Sequence, residues 1–185
     1  MLTKYKSTDV FLDILRPYGK GNVMELGSHT GHILYFLSKE LNNFSTLVDV
    51  NDLKDSIIKE WEGKQIEKDY NFVKVSMASK EFPEFFDRCY DLIFQTNVFH
   101  AYGFTDEKIL QTLLNVKNLL TNDGVFIVCI PDCNSPAFIW KDMKIPVNLE
   151  KLFIEAGLKI QEKRILKSFT ELYEPYDFIN YKLTK

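Results

Sequence analysis

A glycine loop between a strand and a helix is the sequence feature that most constrains this chain. Residues 23–31 read Val-Met-Glu-Leu-Gly-Ser-His-Thr-Gly, so an apolar run breaks into a loop with glycine at Gly27 and Gly31. An amphipathic segment, His32 to Leu41, follows directly and is predicted to be a helix. Glycine allows a tight turn and a close approach to a ligand, and a helix N-terminus offers unpaired N–H groups. A junction of this kind is where an α/β sheet binds a nucleotide-like ligand.

An acidic residue follows the loop at the spacing that a nucleotide-binding site needs. Phe44 to Asp49 is predicted to be the next strand, and Asp49 ends it about 20 residues past the loop, as expected for a carboxylate that binds ribose hydroxyls. Asp49 could instead cap the following helix or be a solvated carboxylate at a strand end. The loop does not match the G-x-G-x-x-G pattern of nicotinamide-binding folds, so a nicotinamide dehydrogenase is disfavoured.

Three motifs in order resemble those of class I S-adenosylmethionine-dependent methyltransferases. The loop from Glu25 to Gly31 is similar to the family's first motif, acid-x-G-x-G-x-G, except that His29 takes the place of the middle glycine. Residues 90–100 resemble the fourth-strand motif, and residues 119–128 resemble the approach to the fifth strand. The resemblance covers Asn22 to Pro131 and implies S-adenosylmethionine as the cofactor.

The resemblance implies a doubly wound, mostly parallel seven-stranded sheet with the last strand antiparallel and helices on both faces. The order of predicted elements agrees, because strands and helices alternate and two final strands have no helix between them. We expect a single domain over residues 1–185, with an N-terminal helix in 1–19, a cofactor-binding core in 22–131, and a C-terminal helix and two strands in 132–185.

The boundaries of the predicted elements come from caps, turns and apolar periodicity. In chain order they are a helix capped by Ser7 or Thr8, strand 22–26, helix 32–41, strand 44–49, a helix from Asn51 or Asp52 with Ile57, Ile58 and Trp61 on one face, strand 72–75, a short helix 81–86 broken at Pro83, strand 91–96, a helix capped by Thr105 and ended by 122–124, strand 125–130, a helix capped by Asn148 and ended by 156–157, and strands 159–169 and 178–183.

The resemblance assigns cofactor contacts residue by residue. The implied cofactor-binding residues are Glu25, Gly27, Ser28, His29, Gly31, Asp49, Val50, Met77, Ala78, Gln95, Thr96 and Asn97. The loop would surround the methionine part, Asp49 would bind the ribose, and the residues after the fourth strand would face the amino acid and the transferable methyl group. Gly27 could instead serve only the turn.

Two departures from the family pattern concern the cofactor site. Met77 stands where the family has an acid that accepts a bond from the adenine amino group, a contact worth roughly 0.5–1.5 kcal/mol, or up to ~3 kcal/mol with a charged acceptor. Binding could be kept through the Ala78 backbone N–H and packing by Met77, and a weakened affinity is equally compatible. His29 could crowd the cofactor or hydrogen-bond it, and the sequence does not choose.

Catalysis by methyl transfer depends chiefly on alignment of the attacking atom with the methyl group. His100 is the candidate general base, since its ordinary pKa is near neutrality, and capping or packing is the alternative role. Aromatic residues in the loops nearest the acceptor side could form an apolar lid or pack in the ordinary way. They are Phe138, Trp140, Tyr173 and Tyr176.

Composition excludes several other classes. The 26 acidic and 23 basic residues give a net charge of −3 without a basic run, so no nucleic-acid partner is evident. Apolar runs are strand-sized, which excludes a membrane helix, and the first residues do not resemble a signal peptide, so a cytoplasmic protein is expected. The 3 cysteines form no C-x-x-C pair, and we expect no metal site.

Two functions remain open. The leading hypothesis is S-adenosylmethionine-dependent methyl transfer to a small-molecule acceptor, because the core fold takes almost the whole chain. The alternative is a non-catalytic or repurposed protein of the same fold, acting as a partner subunit or scaffold, in which His29 and Met77 mark a relaxed cofactor site. A measurement of cofactor binding separates the two.

Overall fold

The computed structural model describes residues 6–29, 31–41, 43–52, 55, 59, 70–96, 98–99, 104–132, 148–167 and 177–185. The strands are β1 (Asn22–Leu26), β2 (Phe44–Asp49), β3 (Tyr70–Lys74), β4 (Tyr90–Thr96), β5 (Leu120–Pro131), β6 (Lys159–Leu166) and β7 (Phe178–Thr184). The α-helices with described bounds are α1 (Lys6–Leu15), α2 (His32–Leu41), α3 (Asp106–Leu119) and α4 (Leu149–Glu155), and Phe82–Phe85 forms a 3-10 turn.

The strands form one seven-stranded sheet in the order β3-β2-β1-β4-β5-β7-β6. The first five strands pair in parallel, and β7 inserts antiparallel between β5 and β6. The predicted fold class is therefore confirmed. The strand order reverses between β1 and β4, and an α/β sheet binds its ligands at the carboxyl ends of the strands at such a switch point.

Each face of the sheet has its own hydrophobic core. One core joins Ile109 and Val116 of α3 to Ile93 and Phe126 of the sheet, all fully buried. The other joins residues of α1 and α2 to the opposite side chains of β4 and β5. This alternation explains why residues 125–130 are continuously apolar, since a central strand is covered on both faces.

Local predictions near the glycine loop agree closely with the structure. The predicted bounds of β1, α2 and β2 are confirmed. The N-cap prediction for α1 was wrong, because Ser7 and Thr8 lie inside the helix. The predicted break at Pro83 was also wrong, since the proline lies in the first turn of the 3-10 segment, where its missing N–H costs nothing.

The predicted end of α3 is the main correction to the fold. Thr105 caps the helix as expected, and its hydroxyl accepts from the Lys108 N–H at 3.4 Å. The helix ends at Leu119, however, and Leu120 already pairs with Tyr90 as the start of β5. Both of these side chains are buried, so packing draws the backbone into an extended form before the turn residues 122–124 are reached.

At the C-terminal side, Asn148 caps α4 and accepts from the Lys151 N–H at 3.1 Å, as predicted. Gly157 follows the helix with a φ of +73°, which confirms the predicted stop. The predicted apolar face of the helix after Asp52, formed by Ile57, Ile58 and Trp61, lies outside the described residues. No helix in the described part of the chain is long and apolar enough to cross a membrane.

Candidate functional site

Strand register gathers the predicted site residues at one edge of the sheet. Leu26 of β1 lies beside Val48 of β2 on one side and Gln95 of β4 on the other. The residues that follow these three strands therefore emerge together at the switch point. Parallel pairing brings Asp49 and Gln95, which are distant in sequence, to the same edge as Glu25 and Gly27.

The glycine loop has the backbone that its sequence predicts. Gly27 and Gly31 adopt φ values of +64° and +62°, in the left-handed region that favours glycine. A Cβ placed on Gly27 would lie 2.5 Å from a methyl carbon of Val98, which follows β4. His29 also has a positive φ, +41°, which is unfavourable for a residue with a Cβ.

Hydrogen bonds tie this loop to the end of β2. The Ser28 N–H donates to the Val48 carbonyl at 3.0 Å, and the His29 N–H donates to Asp49 Oδ2 at 2.9 Å. Asn51 donates to the other carboxylate oxygen of Asp49 twice, from its backbone at 2.9 Å and from its side chain at 3.2 Å. Buried Asp49 is thus held in one orientation, while the His29 side chain is exposed.

Glu25 is a buried carboxyl group beside the loop. It is only 4% exposed, and its Oε2 accepts from the Leu34 N–H of α2 at 3.3 Å. Its pKa is raised to about 8, chiefly by burial; the hydrogen bond from Leu34 lowers the pKa in part, and the nearby Asp49 charge adds a smaller upward effect. Glu25 is therefore largely neutral at pH 7 in this structure, and a cation placed beside it would favour its ionised form.

Two buried side-chain atoms at this edge have no hydrogen-bond partner. They are Ser28 Oγ and Gln95 Nε2, and both belong to the predicted cofactor-binding set. The other end of the Gln95 amide is used, because Oε1 accepts from the Val98 N–H at 2.8 Å. Leaving a buried donor unpaired costs ~1–3 kcal/mol. Two such donors, one in the loop after β1 and one at the end of β4, mark a place where a ligand can supply the missing acceptors.

The predicted cofactor-binding residues near β3 differ in how far their side chains are buried. Met77 is 4% exposed and lies in the hydrophobic core, whereas Val50 at the end of β2 is 56% exposed. Ala78 and Thr96 are half-buried. Asn115 of α3 was not predicted, although a polar residue on the apolar face of a predicted helix is a usable signal. Its side chain contacts the turn that contains Met77.

Some predicted residues lie outside the described part of the chain. These are Asn97, the candidate base His100, and the aromatic residues Phe138, Trp140, Tyr173 and Tyr176. The general-base and lid hypotheses therefore stay predictions. Within the described ranges, no group of three or more His, Cys, Asp or Glu side chains is placed to hold a metal ion. Cys129 is buried, which raises the pKa of its thiol well above the ordinary value, and Cys89 is exposed.

A surface cavity of 370 Å³ lies away from this site. It is lined by Phe44 and Tyr90, the first residues of β2 and β4, and by Arg88, whose guanidinium stacks on the Phe44 ring at 3.9 Å. These residues mark the amino-terminal edge of the parallel strands. Because a five-residue strand spans ~17 Å, the cavity and the glycine loop are on opposite edges of the sheet. The cavity is not the switch-point site.

No family model and no curated protein matches the sequence. Solved structures do match. A S-adenosylmethionine-dependent methyltransferase of Clostridium acetobutylicum has a TM-score of 0.67 and 15% identity, over 98% of this chain and 92% of that one. The 1,6-didemethyltoxoflavin-N1-methyltransferase of Burkholderia thailandensis, solved with bound 1,6-didemethyltoxoflavin and S-adenosylhomocysteine, has a TM-score of 0.72 and 14% identity, over 98% of this chain and 79% of that one.

The cyclopropane synthase MmaA2 of Mycobacterium tuberculosis is similar as well, with a TM-score of 0.71 and 11% identity, over 96% of this chain and 84% of that one. At these identities the likeness concerns architecture. The chain has the Rossmann-like fold of class I S-adenosylmethionine-dependent methyltransferases.

Proposed function

We propose that this protein is a S-adenosylmethionine-dependent methyltransferase that acts on a small-molecule acceptor. The observation that carries the proposal is the pair of buried, unpartnered atoms Ser28 Oγ and Gln95 Nε2 beside Gly27 at the switch point. Support also comes from the similar structures, one of which was solved with S-adenosylhomocysteine and a small substrate. Since fold does not fix function, the site residues must fit the cofactor themselves.

The residues around the loop fit the amino-acid end of the cofactor. Ser28 and Gln95 offer hydrogen-bond donors, which suit a carboxylate, and buried Glu25 suits an ammonium group. A zwitterion that provides both charges would satisfy all three side chains at once. Gly27 itself has a positive φ, and Val98 packs where a Cβ would stand, so the loop keeps this shape only with glycine at position 27.

The residues at the end of β2 fit the nucleoside end. A carboxylate has about four lone-pair sites, and Asp49 uses three for His29 and Asn51, so one remains for a ribose hydroxyl. Val50 provides an exposed apolar side chain, against which a flat base can pack. The bound cofactor would supply an activated methyl group on sulfur, and the chain would supply orientation.

The acceptor would meet the methyl group beyond the ends of β4 and β5. Gln95, Thr96 and Asn97 would form the side of the site nearest the reacting atoms, and His100 would act as general base for an acceptor that carries a proton. On this view His100→Ala lowers the methyl-transfer rate by roughly 10²–10⁴-fold with little change in cofactor affinity. Near-full turnover by that variant would remove His100 from the mechanism. The cytoplasmic location expected from the sequence is part of the same proposal.

The alternative, a non-catalytic protein of the same fold, is favoured by one observation. The Asp49 carboxylate already accepts hydrogen bonds from the His29 backbone and from Asn51, so these bonds give the acid a structural role without any ligand. In a scaffold that role would be sufficient. The two functions differ in whether the site binds the cofactor.

Titration with S-adenosylhomocysteine tests the proposal. A ligand specific for the native state stabilises it by ~2.7 kcal/mol at a hundredfold excess over Kd, so thermal melting and calorimetry should both detect it. Asp49→Asn should weaken binding by roughly 10–100-fold, since a bond to a charged group is worth ~1.5–3 kcal/mol. Asp52→Asn is the matched control, because Asp52 is exposed and pairs with Lys74. A folded protein that shows no binding at millimolar ligand would favour the scaffold.

A further inference from the structure

A buried amide from α3 holds the turn that follows β3. Asn115 is 2% exposed, and its Nδ2 donates to the Met77 carbonyl at 2.8 Å and to the Ser79 carbonyl at 2.7 Å. Its Oδ1 accepts from Gln111 Nε2 at 3.0 Å, one turn earlier on the same helix. Both amide hydrogens and the amide oxygen are therefore used. A buried polar group needs such partners, since burial without them is costly.

These hydrogen bonds fix the direction of one peptide group. The Ser79 N–H donates to the Ser76 carbonyl at 3.0 Å and closes the turn. The Met77–Ala78 peptide is trans, so its carbonyl and the Ala78 N–H point in opposite directions. Because the Met77 carbonyl points to Asn115 in α3, the Ala78 N–H points away from that helix.

The turn lies beside the proposed nucleoside end of the site. The Val75 N–H donates to the Asp49 carbonyl at 3.0 Å, which continues the pairing of β2 and β3 up to the turn. Val50, with its exposed side chain, follows Asp49 directly. The Met77 side chain does not reach this surface, because it is buried in the core. The backbone of the turn, and not the Met77 side chain, is therefore the part that faces the proposed nucleoside end of the site.

We propose that Asn115 is a positioning residue for recognition of the cofactor's purine base. By holding the Met77 carbonyl, it directs the Ala78 N–H toward the base, so a backbone donor reads the base edge and no side chain at position 77 does. An N–H donor suits adenine, whose N1 accepts a hydrogen bond, and disfavours hypoxanthine, whose N1 carries a hydrogen. This inference rests on the proposed function, and it adds the means of base selection.

The test compares S-adenosylhomocysteine with S-inosylhomocysteine by calorimetry. One hydrogen bond contributes ~0.5–1.5 kcal/mol, so the wild-type protein should prefer the adenosyl ligand by roughly 2- to 10-fold. Asn115→Leu removes both donated hydrogen bonds, and the preference should fall toward 1. Asn115→Asp is the second variant, because it keeps the size of the side chain, cannot donate when ionised, and should also lose the preference.

Gln111→Leu is the matched control, since it removes only the bond that Asn115 accepts and should keep the wild-type preference. The ratio of the two affinities separates positioning from a merely structural role, which would weaken both ligands equally. An unchanged ratio in folded Asn115→Leu or Asn115→Asp would overturn the inference and leave the proposed function standing. If the wild-type protein binds neither ligand, both the inference and the proposed function fail.

Discussion

The backbone N–H of His29 donates to Asp49 Oδ2 at 2.9 Å, across a sequence separation of 20 residues. This bond joins the loop after β1 to the end of β2, so the acid that is proposed to bind ribose also shapes the glycine loop. The imidazole takes no part in it, because the side chain of His29 is exposed. A glycine at position 29 could make the same backbone bond without the cost of a positive φ.

His29→Gly should therefore stabilise the protein. Relief of a left-handed φ at a residue with a Cβ is worth ~1–2 kcal/mol, less the greater chain entropy of unfolded glycine, so a net gain of about 1 kcal/mol is expected in denaturant unfolding. Affinity for S-adenosylhomocysteine should stay equal or rise. Lys39→Gly, at an exposed position in α2, is the control and should cost about 1 kcal/mol. A weaker affinity in His29→Gly would show that the imidazole contacts the ligand.

Glu25 gives a prediction on pH. A pKa of about 8 against an ordinary value of 4.5 makes its ionisation cost roughly 5 kcal/mol more in the native state. The native state then holds a proton that the unfolded state releases between about pH 4.5 and 8, so this group's contribution to stability is present below that window and is lost as the pH rises through it. Glu25→Gln removes the effect, and its stability relative to wild type should increase by about 1.4 kcal/mol per pH unit from pH 5 to 8.

Denaturant titrations at each pH measure this difference, with Glu84→Gln as the control at an exposed carboxylate. The same group links pH to binding. If a ligand ammonium ionises Glu25, affinity for S-adenosylhomocysteine should rise between pH 6 and 8, and Glu25→Gln should bind more weakly with that rise absent. Parallel pH profiles of unfolding in the variant and the wild type would contradict the burial-raised pKa.

Gly27→Ala tests the close contact between the loop and the segment after β4. The new Cβ would be 2.5 Å from Val98 Cγ2 at a φ of +64°, so we expect a loss of roughly 2–4 kcal/mol in stability and of cofactor binding. Val98→Ala removes the clashing methyl groups. The double variant should therefore lose less stability than the sum of the losses in the two single variants. Strict additivity in that cycle would show that the two residues are not in contact.

The fold could be predicted because its signals are local. Glycine chemistry and apolar periodicity set β1, α2 and β2 residue by residue. The end of α3 could not be predicted, because it depends on the pairing of Leu120 with Tyr90. Only the folded chain makes this contact between strands. Turn residues at 122–124 are a strong local signal, yet packing of a buried leucine outweighed it.

The same division applies to the site. Gly27 and Asp49 stand at positions that a short motif fixes, so the sequence places them correctly at the edge of the sheet. Asn115 acts on Met77 across 38 residues, and no spacing rule connects them. The burial of Met77 in the core could not be predicted from the motif either, because a motif aligns positions and does not say where a side chain points.

Gln95 provides the sharpest test of the cofactor site, because its buried Nε2 lacks a partner. Gln95→Met removes that unpaired donor together with the acceptor for Val98, so the two effects oppose each other and stability should change by no more than about 1 kcal/mol. If Nε2 binds the ligand carboxylate, affinity for S-adenosylhomocysteine should fall by roughly 10–100-fold, since such a charged hydrogen bond is worth ~1.5–3 kcal/mol. The control ligand is 5′-methylthioadenosine, which lacks the amino-acid end, and its affinity should not change. Ser28→Ala should behave in the same way, because its hydroxyl is also buried without a partner at this end of the sheet. An equal loss for both ligands would mean that Gln95 acts through its hold on Val98, and that the carboxylate is bound elsewhere.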